Sequence, residues 1–151
     1  MPSRGHRTER AAAPARLFVD SGAWLALRSR RDQYHVDADR LFQQAIARRI
    51  PLLTTNLVLA ETHRLTLFRV GIDSAFRALA LMDASPSVTI HFPTATDHAA
   101  ARRWLERLMP RPISYTDAVS FAIMQANRCR DVLGFDQDFA AAGFALWRGV
   151  G

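Results

Sequence analysis

Apolar runs of three or four residues recur along this chain, and each gives way to a longer stretch with helical spacing. Leu17, Phe18 and Val19 stop at Asp20, and Ser21-Gly22 then turns into an expected helix over 23–28. Leu41, Phe42, Ala45 and Ile46 repeat at helical spacing, with Asp37 placed as an N-cap. Residues 51–54 read as a second strand, and Thr55 or Asn56 can cap a helix that Gly71 stops near Val70. Ile72, Ala75, Phe76 and Leu79 mark another helix directly after it, so the two form a helical hairpin between strands. Val88, Ile90 and Phe92 alternate with Thr89 and His91, the period of a half-buried strand. Thr94 caps a helix through Trp104, Leu105 and Leu108, which Pro110 and Pro112 end. A short strand over 113–115, a helix opened by Thr116 and running to about Asn127, a strand over 132–135 and an edge strand over 144–147 complete the pattern. Short strands alternating with helices predict an α/β fold around a parallel sheet, with helices on both faces.

Composition narrows the chemistry. At 151 residues the chain is long enough for one ordinary domain. Its 49% hydrophobic and 23% charged residues suit a folded core rather than a disordered chain. Its 20 basic residues are all arginine. Without lysine there is no Walker-type P-loop and no Schiff-base catalysis. The net charge of +6 favours nucleic acid or an acidic protein as partner, and arginine forks onto phosphate. A lone Cys129 allows no internal disulfide and no cysteine zinc site, which fits a reducing cytoplasm. No apolar run approaches the roughly 20 residues that span a bilayer. Residues 1–15 carry Arg4, Arg7 and Arg10 before AAAPA and read as a flexible basic arm; residues 16–151 read as the domain.

Parallel α/β sheets place their sites at the carboxyl ends of strands. Asp20 and Asp136 each close an apolar strand, Asp138 follows two residues on, and Asp117 opens a helix after a strand. Glu61 has Leu57, Leu65 and Phe68 on its own helical stripe, where burial is costly unless something pairs with it. Each acid also has a local use. Asp20 can cap the next helix, Asp136 can form a turn, Asp117 suits a helix N-terminus, and Glu61 can pair with Arg64. Together they converge on one edge of the sheet. Clustered carboxylates repel and need a compensating cation. With no lysine in the chain, an all-oxygen set selects a hard divalent ion, Mg²⁺ or Mn²⁺, which suits phosphodiester hydrolysis.

The ordered set Asp20 in DSGAWLAL, Glu61 in LVLAE, Asp117 in SYTDAVSF and Asp136 in FDQDF resembles the PIN-domain family of metal-dependent ribonucleases, in particular its VapC-type toxins. The resemblance implies a three-layer α/β/α sandwich with a mostly parallel sheet and a homodimer. It also implies Mg²⁺ or Mn²⁺, cleavage of structured RNA such as tRNA or rRNA, and inhibition by a small antitoxin. Carried over, Asp20, Glu61, Asp117 and Asp136 hold metal and activate water. Thr116 fits the hydroxyl position beside the third acid, and Asp138 is an extra ligand or supporting residue.

A second reading is a catalytically weak protein that binds its antitoxin in a DNA-bound repressor complex. A phosphoaspartyl phosphatase or receiver domain also sets Asp at strand ends but uses a lysine. His35, His63, His91 and His98 show no ligand spacing. Trp24, Trp104 and Trp147 are expected to pack rather than stack bases, and Arg102 and Arg103 to lie on a solvated helix face.

Overall fold

In a computed structural model describing residues 12–151, the three residues of β1 (Leu17–Val19) are wholly buried. The expected basic arm lies mostly outside the described residues. β1 occupies the centre of a five-stranded sheet in the order β3-β2-β1-β4-β5. Its neighbours are β2 (Leu52–Thr55) and β4 (Asp131–Leu133), with β3 (Val88–His91) and β5 (Ala145–Leu146) at the edges. Every pairing is parallel, with Phe18 beside Leu53 on one side and Val132 on the other. The chain lays strands outward from β1 in one direction, then returns to β4 and builds in the other. That reversal opens a crevice at the carboxyl ends of β1 and β4, where side chains can meet.

Helices cover both faces, giving three layers. α1 (Ser21–Arg28) packs on α2 (His35–Ala47), on α3 (Asn56–Arg69) and on α4 (Ile72–Ala84). On the other face α5 (Ala95–Leu108) packs on α6 (Tyr115–Ala126), which meets α7 (Gln137–Ala141). α6 is buried continuously from Asp117 to Met124. Phe121 stands edge-on to Phe139 at 5.0 Å and Trp104 meets Phe121 at 5.6 Å, so aromatic burial fastens α5, α6 and α7 together. Trp24 stacks at a tilt on Phe42 at 5.0 Å on the opposite face. All three tryptophans are buried, as expected of packing residues.

Several helix ends follow their local chemistry. Thr55 caps α3 by accepting from the Val58 N–H, and Gly71, at φ 139°, ends the turn beyond it. Thr94 and Asp97 form a reciprocal capping box on α5. Elsewhere tertiary structure overrides the pattern. Asp37 lies inside α2, whose N-cap is Tyr34. Residues 113–115 form no strand, because Ser114 accepts from the Asp117 N–H and starts α6 at Tyr115. β4 ends at Leu133, and Asp136 is the N-cap of the short helix α7, which had no counterpart in the expected elements.

Candidate active site

Three of the expected acids meet at the crevice. Asp20 stands one residue beyond β1, and its N–H donates to the Leu133 carbonyl at 3.1 Å, tying it to the end of β4. Asp117 comes in from the first turn of α6, held by its N–H bond to Ser114 Oγ at 3.1 Å. Asp136 reaches in from the cap of α7 and is the most open to solvent. One carboxylate oxygen from each lies within 4.8 Å of the others.

Asp20 is 4% exposed, and its Oδ1 is buried without a hydrogen-bond partner. Burial, then the Asp117 carboxylate, push its pKa up to about 8. Burial, then Asp136 and Glu61, push Asp117 up to about 7. The α6 N-terminus favours a negative Asp117 by only about 0.3–1 kcal/mol. The shift toward 7 corresponds to about 4 kcal/mol in the opposite sense, so burial and repulsion win. The helix-dipole role therefore does not account for Asp117. Asp20 is the N-cap residue of α1, yet its side chain makes no capping bond. Asp136 does serve locally, since it accepts from the Asp138 N–H at 2.9 Å, while still facing the other two acids.

Glu61 sits on α3 and adds repulsion to both Asp20 and Asp117, but it is outside the three-acid set. Its stripe is not the buried face expected. α3 buries Val58, Thr62 and Thr66, while Glu61 is half-buried and Phe68 is 77% exposed. The stripe of Leu57, Glu61, Leu65 and Phe68 thus runs along the crevice and out to solvent. Among the described residues Glu61 makes no ion pair with Arg64. Asp138 is drawn away by Arg111, whose Nε donates to its Oδ1 at 2.7 Å, although its charge still raises Asp117. Thr116 is the second residue of α6, half-buried, with its carbonyl accepting from Ser120 Oγ at 3.0 Å.

Beside Asp20 and Asp136 opens a cleft of about 320 Å³. Tyr34 and Phe135 form one wall, their rings nearly parallel at 3° with centroids 4.2 Å apart. Leu65 and Arg69 form another. Of these wall residues only Leu65 stood out in the sequence, on the stripe of Glu61. Ser114 falls in the span expected as a strand, although the Ser114-x-x-Asp117 spacing is that of an N-cap and could have marked it.

The three acids offer only oxygen, and an orphaned buried oxygen among raised carboxyls is what a hard divalent cation satisfies. The residues present therefore fit such an ion. Arg102 and Arg103 are exposed on α5, as expected. His35 Nδ1 bonds the Ala26 carbonyl, His91 bonds Asp97 and His98 bonds Tyr115, so none of these three joins the acids. Among the described residues no helix is long and apolar enough to cross a membrane.

Comparisons with known proteins bear on the family. The PIN domain family model matches residues 17–145. The 23S rRNA-specific endonuclease VapC20 of Mycobacterium tuberculosis is 38% identical over 129 residues, covering 85% of this chain and 95% of that protein, in both the CDC 1551 / Oshkosh and H37Rv strains. The crystal structure of Mycobacterium tuberculosis VapC20, described as a sarcin-ricin loop cleaving toxin, superposes with a TM-score of 0.78 at 36% identity, covering 87% of this chain and 98% of that one. With its acids at the strand-order reversal and a match across nearly all the described residues, the chain belongs to the PIN-domain family, among its VapC-type toxins.

Proposed function

We propose that the protein is a Mg²⁺- or Mn²⁺-dependent endoribonuclease toxin that hydrolyses phosphodiester bonds of structured RNA, ribosomal RNA in preference to tRNA. The observation that carries this reading is the set of three carboxylates within 4.8 Å of one another, one with a buried and unpartnered oxygen. The likeness to a 23S rRNA endonuclease supports the substrate class.

Asp20 and Asp117 are the principal ligands in this reading. They would hold a divalent ion, which would offset their charge and lower the pKa of water beside it. Asp136 and Glu61 complete the ligand set or orient the attacking water, and in this reading Glu61 takes up its proton. The water oxygen bonds to phosphorus as the bond to the leaving nucleotide breaks. In this reading Thr116 and Asp138 are supporting residues of the site, Asp138 while held by Arg111. The protein works in the cytoplasm, where its substrate is.

A small antitoxin and a second copy of the chain are its proposed protein partners. Phe68, Val70, Ile72 and Phe76 are exposed at 77%, 42%, 72% and 76% around the turn between α3 and α4, an apolar patch of the kind that partners cover.

The test is cleavage of a synthetic sarcin–ricin-type hairpin by purified protein, with 5′ ends mapped. Chelator should abolish cutting, and Mg²⁺ or Mn²⁺ should restore it. Asp117→Asn should lower the rate by about 10²–10³ or more. Full activity in a folded Asp20→Asn or Asp117→Asn protein would sink the assignment. Absence of any metal-dependent cutting by the wild type would favour a role confined to antitoxin binding.

A further inference from the structure

Outside the acid cleft, four arginines gather where α1 and α3 end. Arg28, Arg30, Arg31 and Arg69 line a basin of about 490 Å³, with Ser29 and Val70. Arg28 Nε is buried without a hydrogen-bond partner. Among the described residues, none of these four guanidinium groups makes a salt bridge or a side-chain hydrogen bond to protein. The nearby acid on the connecting loop, Asp32, is engaged instead with the Tyr34 N–H at 2.8 Å.

Helix ends account for part of this. Arg28 and Arg69 lie in the last turns of α1 and α3, where a cation is favoured. That effect is worth about 0.3–1 kcal/mol and asks for one cation per helix end. It gives no reason for Arg30 and Arg31 to face the same basin, where like charges repel. An anion resolves the repulsion and satisfies the buried Nε. Arginine binds phosphate through a planar fork of donors, so repeated phosphates match a group of arginines.

Arg69 lines both this basin and the cleft beside Asp20 and Asp136. The basin thus adjoins the cleft of the candidate active site, with Arg69 between them. We propose that Arg28, Arg30, Arg31 and Arg69 form a backbone-phosphate site that grips the RNA strand a few nucleotides from the bond being cut. This rests on the ribonuclease reading above. The shared Arg69 favours the substrate strand over an acidic protein segment, since a strand lying in the cleft passes beside the basin.

The test uses the full chain and the same synthetic hairpin RNA. Binding is followed by fluorescence anisotropy in chelator across a salt series, and cleavage separately in Mg²⁺. Arg30→Gln/Arg31→Gln removes two exposed charges, and a thermal melt checks that the fold survives. Two lost phosphate contacts should flatten the slope of log Kd against log salt by about 1.5. They should also raise KM about tenfold with kcat within about twofold. Arg102→Gln/Arg103→Gln, an equal loss of charge on α5, should leave the slope nearly unchanged. Equal flattening by both pairs, or none from the Arg30/Arg31 pair while wild type binds and cuts, overturns the basin and leaves the ribonuclease reading intact. In the latter case an acidic protein segment becomes the better occupant. Failure of the wild type to bind or cut RNA overturns both.

Discussion

Asp20→Asn should gain stability relative to the metal-free wild type as pH rises from 5 to 8. Asp20 and Asp117 hold protons in the native state to about 8 and about 7. In the unfolded chain a carboxyl releases its proton near 3.9. Stability from these protonated acids is therefore complete below about 4 and is lost as pH climbs through 7 and 8. Each pH unit inside that window costs about 1.4 kcal/mol per group. Between pH 5 and pH 8 the share belonging to Asp20 is about 3–4 kcal/mol. Asparagine has no such share. It does leave an amide near the unpartnered position, at about 1–3 kcal/mol, but that cost is the same at both pH values. The gap between variant and wild type should thus widen by about 3 kcal/mol from pH 5 to pH 8, or about 6–12 °C in Tm. Urea and thermal unfolding in chelator measure it. Mg²⁺ at a hundred times its Kd should return about 2.7 kcal/mol to the wild type and little to the variant. A gap that stays constant between pH 5 and pH 8 would refute the picture of a buried, mutually repelling acid cluster.

Three further expectations follow from the fold. Thr94→Ala removes half of the α5 capping box and should cost about 1 kcal/mol, or 2–4 °C, in a calorimetric scan, with RNA cleavage unchanged. Phe68→Ser/Phe76→Ser should lower the mass measured by light scattering if a second copy covers the turn between α3 and α4; a dimer that persists in the variant places that interface elsewhere. Arg111→Ala frees Asp138 from its 2.7 Å pair at a stability cost below about 1 kcal/mol, and the variant's melting curve tests this.

Residues whose role is set by neighbours in the chain were legible in the sequence. Thr55 and Thr94 cap helices because a hydroxyl three residues before an N–H needs no tertiary partner. Asp20 could be placed because an acid ending a wholly apolar run must leave the sheet at its carboxyl edge. Where two uses compete over a short span, sequence gave the wrong answer. Ile113 and Tyr115 suit a strand, but the bond from the Asp117 N–H to Ser114 Oγ captures the segment for α6. α7 escaped notice because five residues carry almost no periodicity, and burial of Phe139 against Phe18 and Phe121 is what holds it. Glu61 shows the limit of reading a helical stripe. Threonines at 62 and 66 face the interior of α3, so the more apolar stripe looks outward along the crevice. The cleft wall of Tyr34, Phe135 and Arg69 comes from three separate segments, and no local pattern joins them.

Gly134 follows β4, and a side chain there would begin 3.2 Å from Asp20 Cβ. Its backbone needs no left-handed conformation, so the close approach, not the turn, calls for glycine. Alanine at 134 would displace Asp20 by a few tenths of an ångström. Oxygen bonds to Mg²⁺ and to Ca²⁺ differ by about 0.3–0.5 Å, a distance of the same order. Position 134 thereby bears on the proposed cation site without touching it, since a single methyl group there would move one of the three carboxylates.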